Sequence, residues 1–105
     1  MATSENPDAV GADDKDLAQE QLRAYSSWPG TTWRHYKGGE YRVDSVVVDE
    51  ETLDLRVNYV SLARGSRWSR RLLNWIEVVV VDGRRSPRFS RNLDAPENHD
   101  EVGAG

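Results

Sequence analysis

Between residues 53 and 59 apolar and polar side chains alternate without a fault. Leu53, Leu55, Val57 and Tyr59 fall on one side, and Asp54, Arg56 and Asn58 on the other. A period of two is the signature of a half-buried antiparallel strand. Upstream, residues 41–48 (Tyr-Arg-Val-Asp-Ser-Val-Val-Val) are β-branched and begin with the same alternation. The polar Asp49-Glu50-Glu51-Thr52 joins the two runs, which predicts a hairpin. A further strand is expected around Arg67-Trp68-Ser69, and residues 71–76 fit one helical or 3₁₀ turn. A last hairpin is expected to pair residues 77–81 with 88–91 across Asp82-Gly83 and the residues that follow. Pro87 would start its second strand at a sheet edge, where a missing N–H does no harm.

Helical periodicity is confined to the N-terminal third. Asp13 or Asp14 can cap a helix, Asp16 suits the positive end of its dipole, and Ala18, Leu22 and Tyr25 recur at i, i+4 and i+7. That apolar stripe is thin, so a helix over part of residues 13–30 is marginal unless it docks. Ser26-Ser27-Trp28-Pro29-Gly30 then ends it with turn chemistry. Residues 1–12 and 92–105 are polar and aperiodic, and are expected to be disordered tails. The pattern as a whole predicts a mainly β domain over residues 31–91. Its expected form is a small, SH3-like, partly open barrel of four or five antiparallel strands with one short helical turn.

Composition sharpens that picture. Trp33, Tyr36, Tyr41, Tyr59, Trp68, Trp75 and Phe89 all lie between residues 31 and 91, which marks the core. The chain has 105 residues and no cysteine, so it holds one domain without disulfides or thiolate metal sites, as fits a reducing compartment. The N-terminus lacks the basic and apolar regions of a signal peptide, and the longest apolar run, Val78 to Val81, is strand-sized. A cytoplasmic monomer with no membrane partner is therefore expected.

The net charge of −4 conceals a contrast. Residues 61–91 hold eight arginines against Glu77 and Asp82, whereas residues 92–105 carry four carboxylates and no Lys or Arg. A strongly basic segment sits inside acidic brackets.

Several short motifs occur in an order that resembles a known family. Trp33-Arg34-His35-Tyr36-Lys37-Gly38, then Glu40-Tyr41-Arg42-Val43, is similar to the opening of the bacterial domain of unknown function 1653. Glu51-Thr52, Val57 with Tyr59, Trp68 with Arg70, and Asp82-Gly83 followed by Pro87-Arg88-Phe89 continue the resemblance across residues 31–91. Arg71 stands where that family usually has proline, Trp75 where it usually has phenylalanine, and Asp49 near its usual His-Ser. The resemblance implies a domain boundary and a small barrel, and brings no activity with it.

No catalytic constellation is visible. His35 has no Cys or Gly-x-Ser-x-Gly partner, and His99 sits in the acidic tail, where a solvated ring is the expectation. The carboxylates Asp49, Glu50, Glu51 and Asp54 form a hairpin tip, which is convex and wet rather than a cleft. No cofactor and no metal site is expected, and an enzyme is not. Binding is the class that remains. Trp33, His35, Tyr36, Lys37, Tyr59, Trp68, Arg70 and Arg88 are the candidates for a site that takes a protein or peptide partner. The alternative is RNA or single-stranded DNA held by Arg64, Arg67, Arg70, Arg71, Arg84, Arg85 and Arg88, with aromatic rings as stacking platforms. Against both stands the plainer reading that the aromatics form a core and the arginines a solvated face.

Overall fold

The computed structural model describes residues 7–94. Helix α1 (Pro7–Leu22) runs into a 3₁₀ turn, Arg23–Tyr25. Seven strands follow among the described residues: β1 (Thr32–His35), β2 (Glu40–Val48), β3 (Leu55–Ser61), β4 (Arg67–Arg71), β5 (Val78–Val81), β6 (Arg84–Pro87) and β7 (Phe89–Arg91). The single helical turn α2 (Leu72–Trp75) lies between β4 and β5, where the sequence places it. Five strands form one antiparallel sheet in the order β4-β3-β2-β1-β7, and β5 and β6 form a separate pair. The domain is mainly β. The edges β4 and β7 do not pair, so the sheet curls without closing.

Register decides which side chains meet. Cross-strand partners point to the same face, so the pairs Trp33↔Tyr41, His35↔Phe89, Val43↔Tyr59, Tyr59↔Trp68 and Val57↔Arg70 put all of these residues on the inner face. The core is Val43, Val57, Tyr59, Leu72, Trp75 and Phe89. Trp75 is carried inward by α2 and stacks on Phe89 at 3.7 Å, while Tyr59 meets it edge-on at 5.0 Å. A shift in the β2–β3 register between Val43 and Ser45 makes Asp44 a bulge. Beyond it Val46 and Val48 return to the inner face opposite Val57 and Leu55. That extra residue is why the alternation of this strand fades after Val43.

Four expectations are corrected. The helix begins at Pro7 rather than Asp13, since proline is suited to a first turn that needs no N–H donor. Of the tail expected over 1–12, residues 1–6 lie outside the described residues, as do 95–105 of the acidic tail, His99 included. Leu53 leaves the strand pattern for the hairpin loop, with φ at +64°, as Asp49 Oδ1 accepts the backbone N–H of Glu51 (2.9 Å) and Thr52 (3.3 Å). The last hairpin pairs β5 with β6, not with 88–91. Asp82 and Gly83, at φ +52° and +78°, make a two-residue turn between Val81 and Arg84, the tight connection that an Asp-Gly step favours. Pro87 thus ends β6 at an edge, and β7 is freed to pair with β1.

The packed unit also reaches back past residue 31. Trp28 lies 4.7 Å from Trp33, Tyr25 packs edge-on against Trp28, and Ala18 is buried. Thr31, fully buried, ties the joint: its hydroxyl donates to the Trp28 carbonyl (2.6 Å) and accepts from the Trp33 indole N–H (2.7 Å). The helix docks by its C-terminal end.

Candidate functional site

The inner face is covered at one end and open at the other. Where α2 and the Trp28 turn lie on it, Trp75 is fully buried. Toward the β3–β4 turn nothing described covers it, and Trp68 on the edge strand β4 remains 56% exposed. Here Tyr41, Tyr59, Ser61, Arg64, Trp68 and Arg70 line a cleft of about 480 Å³. Each arrives by a separate rule. Tyr41, Tyr59 and Ser61 follow from the β2–β3 register, Trp68 and Arg70 from alternation along β4, and Arg64 from the tight turn after Ser61. The Trp68 indole N–H donates to Ser66 Oγ at 2.9 Å, which fixes the ring over the opening.

Arg70 joins the cleft to a polar clasp between the unpaired sheet edges. Its guanidinium donates to Tyr59 Oη (3.4 Å) and to Asn74 Oδ1, and its Cζ stands 5.3 Å from the Phe89 ring. Asn74 Nδ2 donates to Glu77 Oε1 (3.3 Å). Arg88 donates to that same oxygen (2.7 Å) and to the Asn74 carbonyl (3.1 Å). The Arg88 carbonyl in turn accepts the Tyr36 N–H at 2.9 Å. The clasp spans the gap that hydrogen-bonded strands would close in a full barrel.

His35 sits behind it, half-buried, with its ring edge-on to Phe89 at 4.9 Å and tilted on Tyr36 at 4.6 Å. Nδ1 accepts the Lys37 backbone N–H (3.1 Å), which leaves the proton of a neutral ring on Nε2. Burial, and then the positive charges of Arg70, Arg88 and Lys37, hold its pKa below the ordinary value of 6.5. The ring is neutral at physiological pH.

The sequence candidates therefore divide. Tyr59, Trp68 and Arg70 meet at the cleft, and His35 and Arg88 lie beside it through Arg70 and Phe89. Lys37 stands 5.8 Å from the Tyr36 ring at the β1–β2 turn. Trp33 is elsewhere, packed on Trp28 and Trp75. Tyr41 and Ser61 of the cleft, and Asn74 and Glu77 of the clasp, were not among the candidates. Alternation with Val43 could have flagged Tyr41; nothing in the sequence flags Asn74.

The arginines do not form one strip. Arg67 bonds Asp44 (2.5 Å) and Arg71 faces Asp54 (3.5 Å), both on the outer face, and Arg88 pairs with Glu77. Arg84 and Arg85 belong to the separate β5–β6 hairpin. Within the cleft, by contrast, neither Arg64 nor Arg70 has a carboxylate partner among the described residues. Three other hollows lie elsewhere among the described residues: one, of about 570 Å³, is lined by Asp44, Asn58, Tyr59, Arg67 and Trp68. One of about 630 Å³ lies between α1, the Tyr25 turn and Val46, and one of about 450 Å³ lies beside Leu53, Leu55 and Leu72. These two gather no candidate residue beyond Arg71, and the 570 Å³ hollow shares Tyr59 and Trp68 with the cleft but adds only Arg67; both arginines are already paired with carboxylates. Among the described residues no group of His or carboxylate side chains is placed to hold a metal ion. No described helix is long and apolar enough to cross a membrane.

Comparison with known proteins finds a family match over the sheet. A family model described as protein of unknown function, DUF1653, matches residues 31–91. The crystal structure of a protein belonging to DUF1653 from Bordetella bronchiseptica is similar at 33% identity and a TM-score of 0.53, over 58% of this chain and 82% of that one. No curated protein matches.

Proposed function

The chain belongs to the DUF1653 family, and we propose that it is a non-enzymatic binding module whose open cleft takes an extended acidic segment of a partner protein. One observation carries this reading: an aromatic cleft whose two arginines have no carboxylate partner among the described residues, on a domain that pairs Arg34, Arg67, Arg71 and Arg88 with its own acids. A solvated face would not need an uncovered tryptophan beside unneutralised guanidinium groups. Arg64 and Arg70 supply fork-shaped donors for carboxylates, and the Trp68 face supplies apolar contact.

Calorimetric titration of the full chain with acidic peptides, some containing proline, tests the reading. Binding should weaken at least about tenfold in the Arg64→Ala, Trp68→Ala double variant, since anchors of this type each contribute 1 kcal/mol or more, roughly. Equal affinity for wild type and variant would overturn it.

One observation favours a second reading. An exposed indole flanked by arginine is also what stacks and holds a single-stranded base. A short RNA that binds at low salt, with log K falling steeply against log salt, would support that alternative over the peptide.

A further inference from the structure

The polar side chains around the cleft are set as donors. Arg70 is held from two sides, by Nε on Tyr59 Oη at 3.4 Å and by Nη1 on Asn74 Oδ1, which leaves Nη2 without a partner among the described residues. Its fork is thus oriented before any ligand arrives. Arg64 adds a second guanidinium to the lining. Both serines of the cleft already act as acceptors. Ser61 Oγ takes the Arg64 backbone N–H at 3.2 Å, and Ser66 Oγ takes the Trp68 indole N–H at 2.9 Å. A hydroxyl that accepts in this way keeps its own proton to donate, and neither serine hydroxyl donates to a described residue. No Asp or Glu among the described residues lines the cleft.

Such a set calls for a ligand rich in acceptor oxygens. A carboxylate offers two, and a phosphodiester offers two free oxygens with a single charge. A phosphate monoester offers three, with a charge of about −1.5 to −2 at neutral pH. We propose that the acidic group taken by this cleft is a phosphoryl group on a side chain of the partner's extended segment, its oxygens shared by Arg64, Arg70 and the hydroxyls of Ser61 and Ser66. The inference rests on the reading of the cleft as a site for acidic peptides and names the class of side chain it takes. Two guanidinium groups balance a dianion, whereas a single carboxylate would leave one of them without a counter-charge. The exposed Trp68 face then packs against the flanking chain of the segment.

The test titrates the full chain, by calorimetry and NMR, with short glutamate–glycine peptides that differ only in a central phosphoserine, glutamate or serine. Inorganic phosphate and hexauridylate are titrated alongside. The phosphoserine peptide should bind at least about tenfold tighter than the glutamate peptide, and should move the Trp68 indole N–H and the Arg64 and Arg70 amides. In the Ser61→Ala, Ser66→Ala double variant that ratio should fall to about threefold or less, whereas an advantage of charge alone would survive. Equal affinity for the phosphoserine and glutamate peptides, or an unchanged ratio in the variant, would overturn the phosphoryl group while leaving the cleft a site for acidic peptides. Tighter binding of inorganic phosphate or of hexauridylate than of the phosphoserine peptide would also overturn it, in favour of free phosphate or RNA. Binding of none of the peptides would overturn both readings.

Discussion

Trp75 and Trp68 lie on the same inner surface of the sheet, one ring position apart across Tyr59, and they have opposite fates. Trp75 is brought in by α2, stacks on Phe89, and is fully buried. Trp68 sits directly opposite Tyr59 on the edge strand and stays 56% exposed, because nothing described crosses its end of the sheet. One tryptophan builds the fold and the other is left facing out by it. Tyr59 belongs to both regions, as a core ring and as a wall of the cleft. A ligand seated on Trp68 would thus touch the edge of the core, with Arg70 and the clasp between them.

The sharpest way to break that contrast is to truncate each ring. Trp75→Ala should cost about 3–5 kcal/mol in urea unfolding, the cavity cost of a buried aromatic. Trp75→Phe should cost less than about 1.5 kcal/mol, since the buried Trp75 indole N–H has no hydrogen-bond partner among the described residues and its loss offsets part of the lost volume. Next comes the clasp. Arg88→Ala removes the guanidinium that donates to both the Asn74 carbonyl and the Glu77 carboxylate, and should cost about 1–3 kcal/mol by the same measurement.

A smaller effect should come from His35. Its folded pKa lies below 6.5, so as pH falls the unfolded chain binds the proton first. The contribution of this ring to stability is present above pH 6.5 and is lost as pH falls through its depressed folded value. Urea midpoints between pH 7.5 and 5 should therefore fall, and His35→Gln should flatten that slope. Smallest of all, Trp68→Ala should change stability by no more than about 0.5 kcal/mol, as for an exposed position. A loss near that of Trp75→Ala would place Trp68 in the core and dissolve the comparison.

Much of this was legible from local pattern. The fault-free alternation from Leu55 to Tyr59 marks β3, an interior strand, and its inner face, and the apolar content after Arg71 marks the helical turn. What failed were features that local pattern does not encode. A bulge at Asp44 inserts a residue and resets the alternation, and a positive φ removes Leu53 from the strand. Asp82-Gly83 announced a tight turn, but the following basic residues looked like loop rather than strand because their hairpin has no buried face to impose a period. Trp68 and Trp75 are indistinguishable as residue types. Their difference lies in the order of strands across the sheet, with β4 at an edge, and the same order brings Asn74 between Arg70 and Arg88. The candidate site was thus half visible: its aromatics and arginines were named, but not which of them meet.

The four indole N–H signals of the chain give the most direct test of the claim that the uncovered half of the inner face is the binding surface. During titration with an acidic peptide, the Trp68 signal should move progressively to saturation while the signals of Trp75 and Trp33 stay in place. A shift led by Trp75 or Trp33, or a Trp68 signal that never moves while the peptide binds, would contradict it.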